Sequence, residues 1–173
     1  MGDDMIPIYL CEDNTLQLDL LKSMIEKYIF IQAYDMEIRQ AVHTPHELLN
    51  LLPDQPENAV YFLDIHLHSD MDGIELASAI RQKDPRAFII FTTTHSEMAM
   101  TTFRYQVEPL GFLIKDDPNY TLQILHCLQS VLEKSKIPAS PNGRLHFRMP
   151  DQDLFITIHE ICLLYTSPSP RDA

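Results

Sequence analysis

Residues 61–73 read YFLDIHLHSDMDG, and the character of the chain changes abruptly within them. An apolar run ends at Asp64, and a short loop rich in acidic residues and histidine then leads to Gly73. Short continuous apolar runs bounded by turn signals are typical of strands that are buried on both faces. The stretch therefore predicts a buried strand that carries a carboxylate at its C-terminal end.

Strand-like and helix-like segments alternate on both sides of this stretch, in five repeats. Asn14 is predicted as the N-cap of the first helix. Thr44 is predicted as the N-cap of the second helix, with Pro45 at its first helical position and Glu47 completing a capping box. The predicted strands are 5–11, 36–43, 59–65, 87–93 and 109–114, and the predicted helices follow Asn14 and then cover 44–52, 73–83, 96–106 and 119–136.

Apolar strands that alternate with amphipathic helices predict an α/β fold with a doubly wound parallel sheet, because right-handed crossovers place helices on both faces. In such sheets the functional crevice lies outside the carboxyl ends of the strands. Polar residues follow strands one, three, four and five at these ends: Glu12, Asp13, Asp64, Thr93 and Lys115. We expect these residues to form the functional site.

Three carboxylates in one crevice predict a bound cation. Two like charges about 4 Å apart repel by about 4 kcal/mol at an effective dielectric constant of about 20. Ligands that are all oxygen suit Mg²⁺, which takes one or two carboxylates directly and keeps several waters. Asp13 and Asp64 are the predicted direct ligands, and Glu12 is predicted to act through water. A backbone carbonyl just after Asp64, near His66, completes the predicted set.

A carboxylate beside Mg²⁺ can also act as a nucleophile toward phosphorus and form an aspartyl phosphate. Phosphoryl transfer requires mainly positioning and the neutralisation of charge. Lys115 supplies a cation and Thr93 supplies a hydroxyl at the same edge of the predicted sheet. Asp64 is therefore the predicted phosphoryl acceptor.

Residues 5–136 resemble the receiver domain of two-component response regulators. The resemblance rests on five motifs in order, which are ED at 12–13, FLDI at 62–65, DG at 72–73, FTTTH at 91–95 and FLIKDD at 112–117. It implies a five-stranded, flavodoxin-like or CheY-like sheet with strand order 2-1-3-4-5. More narrowly, YFLDI, GIELASAIR, IIFTTTHSE and FLIKDD are similar to the AgrA type of LytTR regulators.

The resemblance implies a role for each site residue. Asp64 is implied as the phosphoacceptor, and the acidic pair at 12–13 as the metal-binding pair. Thr93 would bond the phosphoryl group, and Lys115 would pair with it. Phe112 lies where the family places an aromatic switch residue, whose ring turns inward when the hydroxyl moves toward the phosphate.

Partners and cellular role are implied in the same way. The phosphoryl group would come from a sensor histidine kinase, and phosphorylation would drive dimerisation of the protein with itself. Such a domain catalyses only its own phosphorylation and dephosphorylation, so we do not expect an enzyme that acts on other substrates. Transcription regulation in a quorum-sensing circuit is the implied output.

Two departures from the family pattern concern the site. Lys115 is followed by Asp116, where many receivers have proline in a cis bond. The loop from Asp64 to Gly73 is one residue longer than in the simplest receivers, which leaves the identity of the backbone metal ligand open.

The remainder of the chain has a different character. Residues 137–143, IPASPNG, are predicted to be a linker. Residues 144–161 read as two strands around a turn and are similar to the start of a LytTR DNA-binding domain, here truncated. Residues 162–172 match one reading frame of a transposon-end adaptor used for sequencing libraries, so 162–173 is predicted to be an adaptor-derived tail. A formal net charge of −12 opposes DNA binding by the whole surface, so DNA contact is assigned to the missing domain.

Composition predicts a cytoplasmic protein without a membrane partner. No apolar stretch approaches the roughly 20 residues that a spanning helix requires, and the start of the chain is acidic where a secretory signal is basic. The cysteines, Cys11, Cys127 and Cys162, are odd in number and lack the spacing of a metal site, which predicts reduced thiols.

Alternative functions remain open on the residues. One is a metal-dependent phosphatase with an aspartate nucleophile, although such enzymes usually carry a second carboxylate two residues later, where this chain has His66. Another is an interaction module that is never phosphorylated. A further alternative is a zinc site at His66 and His68, for which no third soft ligand is in view.

Overall fold

The computed structural model describes residues 5–54, 58–94, 107–136, 144–148 and 153–157. The chain divides into two compact units, Met1–Ser135 and Lys136–Ala173. The predicted helix at 96–106, the linker at 137–143 and the tail at 162–173 lie outside the described residues. The assignment of 144–161 to a DNA-binding domain stays a prediction.

The first unit has the predicted alternation of strands and helices. The first helix begins directly after its predicted N-cap, and each of the other described elements begins and ends within two residues of its predicted bounds. The elements are β1 (Ile6–Cys11), α1 (Thr15–Gln32), β2 (Met36–Val42), α2 (Pro45–Leu51), β3 (Val60–Asp64), α3 (Gly73–Lys83), β4 (Phe88–Thr93), β5 (Gly111–Ile114) and α4 (Tyr120–Ser135).

The five strands form one sheet in the order β2-β1-β3-β4-β5, and all of their pairings are parallel. This confirms the doubly wound fold and its strand order. Successive residues of β3 enter different cores, because side chains alternate across a strand. Tyr61 and Leu63 face the core that contains residues of α2 and α3, whereas Val60 and Phe62 face the core that contains residues of α1 and α4. The burial of both faces explains the continuous apolar run.

Helix starts follow the predicted capping residues in part. The Asn14 side chain accepts a hydrogen bond from the Gln17 amide, and the Thr44 hydroxyl accepts one from the Glu47 amide. The return bond that would complete the box at Glu47 is not found in the described part of the chain. A reciprocal capping box does form at the start of α3, between Asp72 and Glu75.

Gly73 brings α3 into direct contact with the end of β3. A Cβ atom at this position would lie 1.9 Å from the Asp64 carbonyl oxygen and 2.9 Å from the Ile65 Cα. The Gly73 amide donates a hydrogen bond to the Ile65 carbonyl at 3.0 Å. Glycine is required here because the obstructing atoms are backbone atoms, which cannot rotate away.

The second unit contains two antiparallel strands, β6 (Arg144–Arg148) and β7 (Asp153–Thr157). They lie where the two strands around a turn are predicted. Among the described residues, no helix combines the length and the apolar character that crossing a membrane requires.

Replacing Gly73 with alanine is expected to lower the free energy of unfolding by about 3 kcal/mol, because the new methyl group forces the two backbones apart. Urea denaturation of the purified variant measures this change. Gly111→Ala is the matched control, since its Cβ would meet only a side-chain atom at short range, the Cys127 Sγ at 2.7 Å. Cys127→Ala should restore stability to Gly111→Ala, whereas no side-chain truncation should restore Gly73→Ala. A Gly73→Ala variant as stable as the parent would contradict this account.

Thr92→Val is expected to raise the free energy of unfolding by about 1 kcal/mol. The Thr92 side chain is fully buried, and its hydroxyl has no hydrogen-bond partner among the described residues. Valine has a similar shape and removes the cost of burying that hydroxyl. Thr92→Ser keeps the hydroxyl and removes the buried methyl group, so it should change stability in the opposite direction. The same denaturation measurement compares the two variants, and equal losses of stability in both would refute the explanation.

Candidate functional site

The carboxyl ends of β1 and β3 bring three acidic side chains together. Glu12 and Asp13 follow β1, and Asp64 is the last residue of β3. One carboxylate oxygen from each of the three lies within 4.8 Å of the others. Glu12 and Asp64 are buried, and Asp13 is half-buried. The structure therefore assembles the acidic group that the strand ends predict.

Lys115 places its ammonium group among these acids. Its Nζ lies 2.6 Å from the Glu12 Oε2 and 3.3 Å from the Asp64 Oδ2, and the Lys115 side chain is only 11% exposed. The Lys115 amide donates to the Thr93 carbonyl at 2.8 Å, which continues the pairing of β4 and β5 to this edge of the sheet. A third acceptor is the Gln17 Oε1, at 2.5 Å from Nζ. The sequence alone does not indicate Gln17 as part of the site.

Glu12 uses both of its carboxylate oxygens within the protein. Oε1 accepts a hydrogen bond from the Asn14 amide at 3.2 Å, and Oε2 accepts one from Lys115. Burial raises the pKa of Glu12, and the nearby Asp64 carboxylate raises it further, while Lys115 opposes both effects. Each carboxylate oxygen of Glu12 therefore accepts a hydrogen bond from the protein, and its role toward a cation stays a prediction.

Asp13 contacts His68 in the loop between β3 and α3. The His68 Nδ1 donates to the Asp13 Oδ2, and the His68 amide donates to the same oxygen at 3.1 Å. Partial burial raises the pKa of Asp13, but the two hydrogen bonds and the charge of His68 outweigh it and lower the pKa overall. The imidazole thus contacts an acid, and neither His66 nor His68 joins a metal-binding group in the described ranges.

The residues expected to switch lie on neighbouring strands: Thr93 is the last residue of β4, and Phe112 is the second residue of β5. Thr93 is fully buried, and Phe112 is half-buried. The Phe112 ring packs against the Phe91 ring at a centroid distance of 6.3 Å and an interplanar angle of 58°. His66 is exposed, and its carbonyl as a metal ligand stays a prediction. No cis peptide bond occurs among the described residues, Lys115 and Asp116 included.

Cysteines take no part in the site. Cys11 and Cys127 are buried free thiols, and Cys162 lies outside the described residues. Burial, together with the acidic side chains near it, raises the pKa of Cys11 to about 12, and burial raises that of Cys127 to about 11. Both thiols therefore stay protonated at neutral pH.

A family model described as the response regulator receiver domain matches residues 8–126. Accessory gene regulator protein A of Staphylococcus epidermidis is 40% identical over 131 residues, which cover 75% of this chain and 55% of that protein. The protein of the same name from Staphylococcus aureus is 38% identical over 137 residues, which cover 79% of this chain and 58% of that protein. The chain thus spans a little over half the length of these relatives.

Solved structures share the fold. The response regulatory domain of protein mrkE from Klebsiella pneumoniae has a TM-score of 0.61 at 23% identity, covering 75% of this chain and 97% of that one. The response regulator DrrB from Thermotoga maritima has a TM-score of 0.58 at 18% identity, covering 87% of this chain and 60% of that one. At these identities the likeness concerns the fold alone.

His68→Ala is expected to raise the pKa of the Asp13 carboxyl, because the imidazole hydrogen bond and charge that favour the carboxylate are lost. NMR titration of the side-chain carboxyl carbons in metal-free buffer measures this pKa. A depressed pKa in the folded state stabilises the fold above the unfolded-state pKa, and this contribution disappears as the pH falls through the folded-state value. As the pH falls from the unfolded-state pKa of Asp13 through its folded-state pKa, the variant should therefore lose less stability than the parent.

His46→Ala is the matched control for this titration. The His46 Nε2 lies 2.9 Å from the Asp70 Oδ1, and this hydrogen bond lowers the pKa of Asp70. The control should raise the pKa of Asp70 and leave that of Asp13 unchanged. An Asp13 pKa that is the same with and without His68 would show that the imidazole does not act on this carboxyl.

Proposed function

The chain belongs to the response regulator receiver domain family, and we propose that Asp64 accepts a phosphoryl group from a sensor histidine kinase with Mg²⁺ bound beside it. This is the receiver domain of a two-component response regulator, and its curated relatives are of the AgrA type. The single observation that carries the proposed chemistry is the group of three carboxylates within 4.8 Å of one another, with the Lys115 ammonium between two of them.

The residues present fit a magnesium ion. All the side-chain donors are carboxylate oxygens, which hard divalent cations prefer, and no thiol or imidazole belongs to the described cluster. Three carboxylates against one ammonium group leave negative charge that a divalent cation offsets. Asp13 and Asp64 would hold the ion directly, Glu12 would hold it through water, and the His66 carbonyl would complete the set. When bound, Mg²⁺ supplies neutralisation of the charge on the transferring phosphoryl group.

The residues of the chain carry out the transfer itself. An Asp64 carboxylate oxygen attacks the phosphorus atom, and the P–N bond of the kinase phosphohistidine breaks. The electron pair of that bond goes to the imidazole nitrogen, which takes up a proton from water. Lys115 then pairs with the phosphoryl oxygens, and the Thr93 hydroxyl donates to one of them. The same groups act in the later hydrolysis, so the domain catalyses only its own phosphorylation and dephosphorylation.

Phosphorylation would be transmitted through Thr93 and Phe112. Movement of the Thr93 side chain toward the phosphoryl group opens space at the end of β4. The half-buried Phe112 ring, which already contacts Phe91 at the edge of the core, can turn into that space. Such a movement biases an equilibrium between two conformations, and dimerisation of the protein is the proposed result.

The proposed output is transcription regulation in a quorum-sensing circuit of the AgrA type. The formal net charge of −12 disfavours contact between this chain and a nucleic-acid backbone. DNA binding is therefore assigned to a C-terminal LytTR domain, of which 144–161 would be the beginning.

Incubation with acetyl phosphate and Mg²⁺ is expected to add one phosphoryl group to the protein, detected by intact mass. Asp64→Ala and addition of a chelator should each abolish the adduct, because the first removes the nucleophile and the second removes the cation. Asp70→Ala is the matched control, since Asp70 is an exposed carboxylate in the loop after β3 and should leave the adduct unchanged. Absence of an adduct on the folded protein would contradict the proposal, and turnover of small phosphate esters would then favour the phosphatase.

A further inference from the structure

The Lys115 ammonium group has three N–H donors and three side-chain oxygens around it. Two of these oxygens belong to the carboxylates of Glu12 and Asp64, at 2.6 and 3.3 Å. The third is the amide oxygen of Gln17, at 2.5 Å. Gln17 is the uncharged member of this set, and it comes from a helix rather than from a strand end.

The start of α1 holds Gln17 in this position. The backbone amide of Gln17 donates to the Asn14 Oδ1 at 3.1 Å, and the backbone amide of Asn14 donates to the Glu12 Oε1 at 3.2 Å. Glu12 and Gln17 are thus joined through the helix cap, and both accept from Lys115. Lys115 therefore donates to two side chains of one short segment, residues 12–17, whose members are hydrogen-bonded to one another.

The two carboxylates cannot serve as permanent anchors for Lys115. Asp64 is the proposed phosphoacceptor, so one of its oxygens becomes the bridging oxygen of an acyl phosphate when the phosphoryl group is attached. Glu12 is proposed to bind the cation through water, and its charge is then shared with that cation. The side-chain amide oxygen of Gln17 binds neither the phosphoryl group nor the cation. It can therefore accept from Lys115 both before and after phosphorylation.

We propose that Gln17 is a positioning residue that holds the Lys115 ammonium in place for the phosphoryl group on Asp64. The proposal rests on the proposed function of Asp64. Gln17 itself contacts neither the phosphoryl group nor the cation, and it acts only through Lys115. The ordinary alternative is a glutamine on a helix surface whose loss changes nothing at the site.

Gln17→Met tests the proposal, because methionine has a similar length and lacks the strong oxygen acceptor. The rate of phosphorylation by acetyl phosphate, followed by intact mass, should fall about tenfold, the size expected for one lost hydrogen bond to a charged group. The melting temperature should stay within the range of the control. Gln32→Met is the matched control, since Gln32 is an exposed residue of the same helix and should leave the rate unchanged.

A second readout does not depend on phosphorylation. The Lys115 ammonium signal in ¹H–¹⁵N NMR spectra, assigned by its absence from Lys115→Met, should be visible in the parent because hydrogen bonds slow proton exchange. Gln17→Met should broaden or remove this signal. Gln17→Glu keeps an oxygen acceptor and should retain it, which a purely structural role of the residue does not predict.

An unchanged ammonium signal in Gln17→Met would overturn the proposal, and so would an equal fall in rate for Gln17→Met and Gln32→Met. Failure of the parent protein to accept a phosphoryl group is a different result, since it removes the proposed function of Asp64. In that case the NMR comparison still decides whether Gln17 positions Lys115.

Discussion

The ion pairs that Lys115 makes with Glu12 and Asp64 are the interaction on which the site depends. Both carboxylates are almost completely shielded from solvent, with side-chain exposures of 2% and 8%. Buried charges are costly unless they are paired, and leaving one unpaired costs several kcal/mol. One ammonium group can offset only part of three carboxylates. The unpaired negative charge that remains is the physical reason for proposing a divalent cation at this site.

The backbone around Asp64 is constrained by the close approach of α3 to the end of β3. α3 begins so close to the end of β3 that a single methyl group on Gly73 would overlap the Asp64 carbonyl. The capping box of Asp72 and Glu75 defines the first turn of that helix, and the Gly73 amide bonds the Ile65 carbonyl. The direction in which the Asp64 side chain leaves the sheet is therefore set by packing of backbone on backbone. A glycine that has no side-chain chemistry of its own thus helps to fix the position of the proposed nucleophile.

The strand ends could be predicted because each is marked by residues that are adjacent in the sequence. A buried strand between two helix layers requires an uninterrupted apolar run, so the residue at which the run stops marks the edge of the sheet. Glu12, Asp64 and Lys115 were placed in this way, and the structure brings all three together. The capping box at Glu47 was predicted from an equally local pattern, yet the part of the chain that the structure describes shows only the bond to the Thr44 side chain. A pattern identifies where a helix begins more reliably than it identifies each bond at its start.

The sequence by itself determined the fold class, the order of the elements and the acidic edge, since all of these follow from periodicity and from the residues that end each run. Only the tertiary structure decided that Gln17 contacts Lys115 and that His68 contacts Asp13. These partners are 98 and 55 positions apart, and neither pair has a local signature. Gln17 resembles any polar residue of a helix, and His68 any polar residue of a loop. Their roles arise because the crossovers bring segments that are distant in sequence to the same end of the sheet. Residues far apart along the chain are therefore within hydrogen-bond distance there.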